Sequence, residues 1–417
     1  MKHSPATWGR NLIAFAVLLM VPMVCLSANP PRSWNYRDNP AYLGVRSRPF
    51  VEIAANQSLG VSNSYFSAQN VLQPTFVLDL NDLSDRLGDR DLRIAGTTNT
   101  GGHMAISILD LTISLHSSVD SLVSAGIPSS LFAVIAEGNR IGERYSGSAP
   151  VIGRVFAQAG GQVSYRYRRW EIGGSLGLFT PLLYTDPDAK VTFNLDTDQD
   201  AGTLDLSGGL RVPAYSSIDA SSPVDPGQVS LDGVMVDIGV VRVYPDESPW
   251  FGANVSGITL VPASAPYKVL IENGVSISVD NIVEQGGADA ITTETTDTEP
   301  TVIDEDSNKR VSAPLHVGGF YRSTIIPGLA LTGYSQFYIT DPLLYGAGVT
   351  IEGTVFPIRG IAFSLGYDRV AWETEVGLRA NLRVFELGLE VGLSSPQFVS
   401  MWEGSGFNAN LFIAVGI

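Results

Sequence analysis

Of 417 residues, 44% are hydrophobic, only 16% are charged and 43 are glycine, a balance that excludes a disordered chain, a coiled coil and a disulfide scaffold. Lys and Arg total 26 against 42 Asp and Glu, for a net charge of −16. Nucleic acid is therefore not an expected partner, because neutralising phosphates needs clustered bases.

The N-terminus reads as a cleaved secretory signal over residues 1–28. Lys2 and Arg10 precede an apolar run from Leu12 to Leu26 that closes on Ser27 and Ala28. The run is short for a membrane span and contains the only cysteine, Cys25, so thiol catalysis, disulfides and cysteine-bound metals leave with it. Further on, Pro40 restricts Asn39 to extended or turn geometry, which makes Asn39-Pro40-Ala41 a turn on local grounds. The first alternating segment opens after Arg48-Pro49-Phe50.

Two helical inserts are expected in the first third. One lies near 79–88, where Asp79 can cap a helix carrying Leu80, Leu83 and Leu87, with Gly88 as its stop. The other lies near 119–138, where Leu122, Val123, Ile127, Leu131, Val134 and Ile135 recur at helical spacing and Pro128 breaks the run. Both are expected to cover an end of a sheet.

Period-two alternation dominates the rest. Val163, Tyr165 and Tyr167 oppose Gln162, Ser164 and Arg166; Ile172, Leu176 and Leu178 follow, then Val234, Val236, Ile238 and Val240. Between them, Asp196, Asp198 and Asp200 superficially resemble a calcium loop, but the glycine at 202 is one place late and Ser207 stands where a bidentate Glu belongs. A polar hairpin turn from Asp196 to Gly202, between strands around Phe193 and Leu206, is the better reading, and no metal or other cofactor is expected. From Glu284 to Asp306 there are eight acids and no base, which reads as a solvated acidic loop over 284–310.

The last hundred residues alternate most cleanly. Val376, Leu378, Ala380 and Leu382 share one face, as do Phe385, Leu387, Leu389, Val391 and Leu393, and then Phe407, Ala409, Leu411, Ile413 and Val415. Segments of roughly nine to eleven residues suit a tilted strand crossing hydrocarbon. If Arg383 and Val384 form a turn, Gly377 pairs with Glu390, Arg379 with Gly388 and Asn381 with Glu386. Arg379 then lies diagonally between Glu386 and Glu390, a charge ladder on the polar face. His103, His116 and His316 stand apart in sequence, and neither a nucleophile elbow nor a helical zinc motif occurs, so an enzyme is not expected.

Asn39-Pro40-Ala41 with Arg48-Pro49-Phe50 resembles the start of the FadL-type superfamily of long-chain fatty-acid transporters. The order of elements is similar to a domain-of-unknown-function branch of these barrels known from Bacteroidetes-type outer membranes. That order includes Gly60 to Ser64, the Leu-rich helix up to Leu87, and Glu137-Gly138-Asn139. The resemblance implies an outer-membrane barrel in which Asn39, Pro40 and Ala41 belong to a hatch over residues 29–48.

The fold expected is an all-β transmembrane antiparallel barrel of about 14 strands (range about 12–16) over 49–417, in a bacterial outer membrane. The activity expected is passive movement or binding of a small hydrophobic molecule. Its partners would be outer-membrane lipid, the barrel-assembly machinery and other envelope proteins. Two alternatives stand beside it: a scaffold or shuttle barrel of a secretion or assembly complex, and a secreted soluble β-sandwich.

Overall fold

The computed structural model describes residues 39–45, 50–67, 80–137, 143–198, 203–219, 229–245, 248–279, 291–297, 301–304, 307, 309–356, 359–382 and 384–416. The signal segment lies outside the described residues, as does the start of the hatch-like segment.

The strands are β1 (Val51–Asn63), β2 (Leu92–Ile108), β3 (Leu111–Ile127), β4 (Arg144–Tyr167), β5 (Trp170–Thr185), β6 (Lys190–Asp198) and β7 (Thr203–Ser216). They continue as β8 (Gly233–Val243), β9 (Pro249–Val261), β10 (Ala263–Ala265), β11 (Tyr267–Val279), β12 (Ile291–Asp297), β13 (Thr301–Asp304) and β14 (Lys309–Val311). The last third holds β15 (Leu315–Ile326), β16 (Leu329–Ile339), β17 (Leu344–Phe356), β18 (Arg359–Asp368), β19 (Ala371–Leu382), β20 (Phe385–Ser395) and β21 (Gly406–Gly416). Three short helices, α1 (Leu80–Leu87), α2 (Ser129–Glu137) and α3 (Phe398–Met401), and a 3-10 turn at Pro40–Gly44 complete the elements.

Antiparallel pairing runs from β1 through β2, β3, β4 and β5 to β8, β9 and β15, then in sequence order to β21. β21 returns to β1, with Glu52 opposite Gly416, so the sheet closes on itself and has no free edge in the ring. β6 and β7 are inserted between β4 and β5 only beyond the stretch where those two pair directly. Counted through them the barrel has 16 strands, not the about 14 expected from alternation; the two extra strands lie outside the clean period-two segments. β11 pairs onto β7 outside the ring.

Closure also removes the sandwich alternative, because the described ring strands form one sheet whose last strand returns to its first instead of two sheets packed face to face. Those rows are apolar and exposed, as with Leu115 at 61% and Leu378 at 54%, whereas inward neighbours are polar and buried, as with Ser114 and Glu386. One end of the ring carries both Val51 and Gly416 and the tight hairpins at Leu109-Asp110, Arg168-Arg169 and Pro327-Gly328, and is called the turn end. Leu109 and Arg168 adopt φ of 54° and 59° there, the left-handed conformation that two-residue hairpins demand.

The opposite, loop end is covered by α1 and α2. Leu83, Leu87, Leu92, Phe132 and Tyr65 pack into one buried cluster there. The second expected insert needs correction: residues 119–127 are strand, paired on both sides, and only Ser129–Glu137 is helical. Val119, Val123 and Ile127 fit a strand row as well as a helical stripe, and two ladders of backbone hydrogen bonds decide in favour of the strand. The acidic segment is likewise not all loop, since Ile291–Asp297 and Thr301–Asp304 pair with β11.

Candidate functional site: the barrel lumen

The turn at Asn39–Val45 lies inside the wall formed by β4, β5, β8 and β9. Asn39 caps it, its Oδ1 accepting from the Ala41 amide at 3.0 Å, and Pro40 supplies the fixed φ a first helical turn favours. The Asn39 Nδ2 donates to the Val240 and Ala253 carbonyls at 3.4 and 3.3 Å. Ser164 Oγ donates to the Ala41 carbonyl at 3.3 Å, and Arg166 Nη2 to the Gly44 carbonyl at 3.3 Å. Arg166 is in turn ion-paired with the fully buried Glu171. Tyr42 stacks obliquely on Phe320 of β15 with ring centres 5.2 Å apart.

Two wall glycines make this fit. A Cβ on Gly173 would lie 2.2 Å from the Ala41 nitrogen, and one on Gly239 would lie 2.0 Å from Asn39 Oδ1. The structure thus places Asn39, Pro40 and Ala41 together against the inner wall.

Across the lumen, β19 and β20 pair in the register the hairpin predicts: Gly377 opposite Glu390, Arg379 opposite Gly388, Asn381 opposite Glu386. Arg379 Nη2 lies 2.9 Å from Glu390 Oε1, and its Nη1 lies 3.5 Å from Glu352 Oε1 on β17. Glu352 also meets Arg322 of β15 at 2.9 Å, and Asn410 of β21 donates to Glu390 at 3.1 Å. Glu386 is buried one step nearer the turn. Glu352 is thus a carboxylate beside Arg379 that the hairpin alone does not reveal.

Between the Asn39–Val45 turn and the ladder lies a cavity of about 620 Å³, within the size range of small-molecule sites. Its lining is mixed. Leu122, Phe156, Phe179, Met235, Ala313 and Leu344 contribute apolar surface, and Glu352, Glu375, Arg379 and Glu390 charge. Phe156, Phe179, Met235 and Ala313 belong to one buried cluster. Arg154, not singled out by sequence, also lines the cavity; it is buried and donates to the Asp341 carbonyl.

Of the aspartates at 196, 198 and 200, only the Asp196 side chain is among the described residues. Asp196 lies opposite Asp205 in the β6–β7 hairpin, 3.7 Å from exposed Arg144, while the Asp198 side chain and Asp200 lie outside the described residues. Among the described residues no group of three or more His, Cys, Asp or Glu could hold a metal. The histidines are less isolated than their spacing suggests. His103 faces Glu52 across β1 and β2 at 3.0 Å, and is in register with His116.

No family model and no curated protein matches the chain, so neither the FadL-type superfamily nor its Bacteroidetes-type branch is shown by sequence. Among solved structures, the Ralstonia pickettii toluene transporter TbuX aligns at 8% identity and TM-score 0.45 over 92% of this chain and 93% of its own. The Pseudomonas putida toluene transporter TodX aligns at 7% identity and TM-score 0.42, covering 93% and 94%. A Pseudomonas aeruginosa FadL homologue aligns at 10% identity and TM-score 0.42, covering 93% and 95%. The barrel assignment rests on this chain's own closed ladder, and nothing about cargo is taken from these likenesses.

Proposed function

We propose that the chain is an outer-membrane barrel of FadL-type design that passively admits a small, predominantly hydrophobic molecule to its lumen. The observation that carries this is a closed ring whose outward rows are exposed and apolar, around a cavity with apolar surface in its lining. In water such an exterior would be an aggregation surface far larger than soluble proteins tolerate; in hydrocarbon it is the favourable one. The turn end then faces the periplasm, because short turns lie on that side of outer-membrane barrels.

In this reading Pro40–Gly44 is the hatch. It occupies the turn-end half of the lumen and is held by hydrogen bonds to the Val240 and Ala253 carbonyls and from Ser164 and Arg166, together with an apolar cluster in which Ala41, Tyr42 and Val45 pack on Val241, Val243 and Phe320. The cargo would enter at the loop end, rest against Phe156 and Phe179, and wait on displacement of the hatch. The Arg379 ladder braces the opposite wall and keeps water in the channel. No covalent chemistry is involved.

The test is uptake in proteoliposomes. Entry of the apolar probe N-phenylnaphthylamine should be faster with the barrel than without it, and Phe179→Glu should remove most of the gain while swelling in small polar solutes persists. Equal probe entry in empty and barrel-containing vesicles would end the cargo proposal.

A further inference from the structure

Where the ring strands pair directly with one another, without β6 and β7, the outward rows are mostly apolar or small, although the uncharged Gln57 is exposed in β1. Among those outward residues whose side chains are described, Arg242 alone is charged. It occupies a register position between Trp170 of β5 and Phe251 of β9, in the same row as the exposed Ile238. Its guanidinium carbon lies 5.4 Å from the Trp170 ring centre and 4.6 Å from that of Trp250. Trp170 and Trp250 each meet Phe251 edge-on, at 5.5 and 5.4 Å, so the three rings form one block.

The neighbouring hairpin tip adds Arg168 and Arg169, both exposed, and the Val243 amide donates to the Arg169 carbonyl at 2.9 Å, tying that tip to β8. Among the described residues, no carboxylate lies within ion-pair distance of these three arginines. In a chain of net charge −16, three such cations share one corner of the outer wall.

We propose that this corner is a binding site for the phosphate of an anionic phospholipid in the leaflet at the turn end. The inference goes beyond the transport reading but rests on its membrane placement. A lipid-facing cation has to find a counter-charge or headgroup, and the aromatic block sets its depth at the interface. The ring faces stabilise the guanidinium charge without engaging its N–H fork, and that fork matches phosphate oxygens in pairs. The acyl chains would then lie along the exposed Ile172 and Ile238.

The test uses the whole mature chain, purified in detergent and offered equimolar phosphatidylglycerol and phosphatidylcholine of the same chain length, with retained lipid counted by native mass spectrometry. Phosphatidylglycerol should be retained preferentially and resist displacement by inorganic phosphate. Retention should fall about fivefold per charge removed in Arg242→Gln and in the Arg168→Gln/Arg169→Gln pair. Arg242→Lys should keep most of it, and Arg310→Gln, exposed near β14, all of it.

Unchanged retention in both glutamine variants would overturn the proposal. It would mean that these charges are met elsewhere, for example by Asp246 and Glu247, which lie outside the described residues. Equal retention of the two lipids, or displacement by inorganic phosphate, would also overturn it. A heat-dependent gel shift on the same samples separates the failures: a variant that keeps the shift is a folded barrel, and a wild type without one fails the membrane reading itself. Should Arg242→Gln not fold, the double variant at the exposed tip decides.

Discussion

On the sector formed by β4, β5, β8 and β9, the wall meets the chain inside it backbone to backbone, through Gly173 and Gly239 and through carbonyls that Asn39 and Ser164 engage. On the sector from β15 to β21 the inner surface is held apart by side-chain charge, Arg322 and Arg379 alternating with Glu352 and Glu390. The first arrangement depends on shape and tolerates no added atom. The second depends on charge balance and tolerates changes of shape better than changes of sign. One side of the lumen is thus filled by the Asn39–Val45 turn packed on the wall, and the other is lined by paired charges.

The largest expected effect comes from reversing a charge in the charge-lined sector. Arg379→Glu brings a third carboxylate beside Glu352 and Glu390 and should cost about 3–5 kcal/mol, the scale of breaking an enclosed ion pair. Urea unfolding of the lipid-embedded barrel reads this, and Arg379→Lys should recover most of the loss. An unshifted midpoint would break the contrast between the sectors.

In the packed sector, Gly173→Val forces a side chain into the Ala41 backbone and should cost about 1–3 kcal/mol, as overpacking does. Its signature is local: protease cuts near Asn39 should appear in this variant and not in Arg379→Glu. Asn39→Ala removes the cap and both carbonyl contacts, for a loss of about 1 kcal/mol in hatch seating. Protection of the N-terminal segment should weaken while the urea midpoint of the barrel stays in place. If the midpoint moves as far as in Gly173→Val, hatch and wall form one cooperative unit and the sectors are not independent.

The smallest change is at the loop end, where Arg86 pairs with Asp82 at 3.3 Å and Glu403 at 2.8 Å, all substantially exposed. Arg86→Gln should shift stability by less than about 1 kcal/mol, with the effect fading in high salt.

Which of these features sequence could reveal follows from contact range. The Arg379–Glu390 diagonal was legible because a two-residue turn fixes the register of its own hairpin. Glu352 and Arg322 reach the same arginine from β17 and β15, and their approach depends on the shape of the closed wall, which no local pattern encodes. The seats at Gly173 and Gly239 look like any strand glycine until Asn39, 201 residues from Val240, is placed against them.

Elements failed for related reasons. Val119 to Ile127 carries apolar spacing compatible with either period, so partners on both sides, not propensity, made it a strand. β6 and β7 were legible as the hairpin strands around Phe193 and Leu206, but not as wall strands, because they join the far ends of β4 and β5, beyond the clean alternation that marks membrane-length segments. The Asn39-Pro40-Ala41 turn was visible as a turn from proline geometry, but its position inside the barrel was not.

The central claim is that the outward apolar rows face lipid around a closed barrel. The most direct measurement is the electrophoretic mobility of the extracted protein before and after boiling, beside its partition between outer membrane and soluble periplasm. Recovery with the outer membrane and a mobility that changes on heating is the predicted result. A soluble periplasmic protein with one mobility at both temperatures would contradict it.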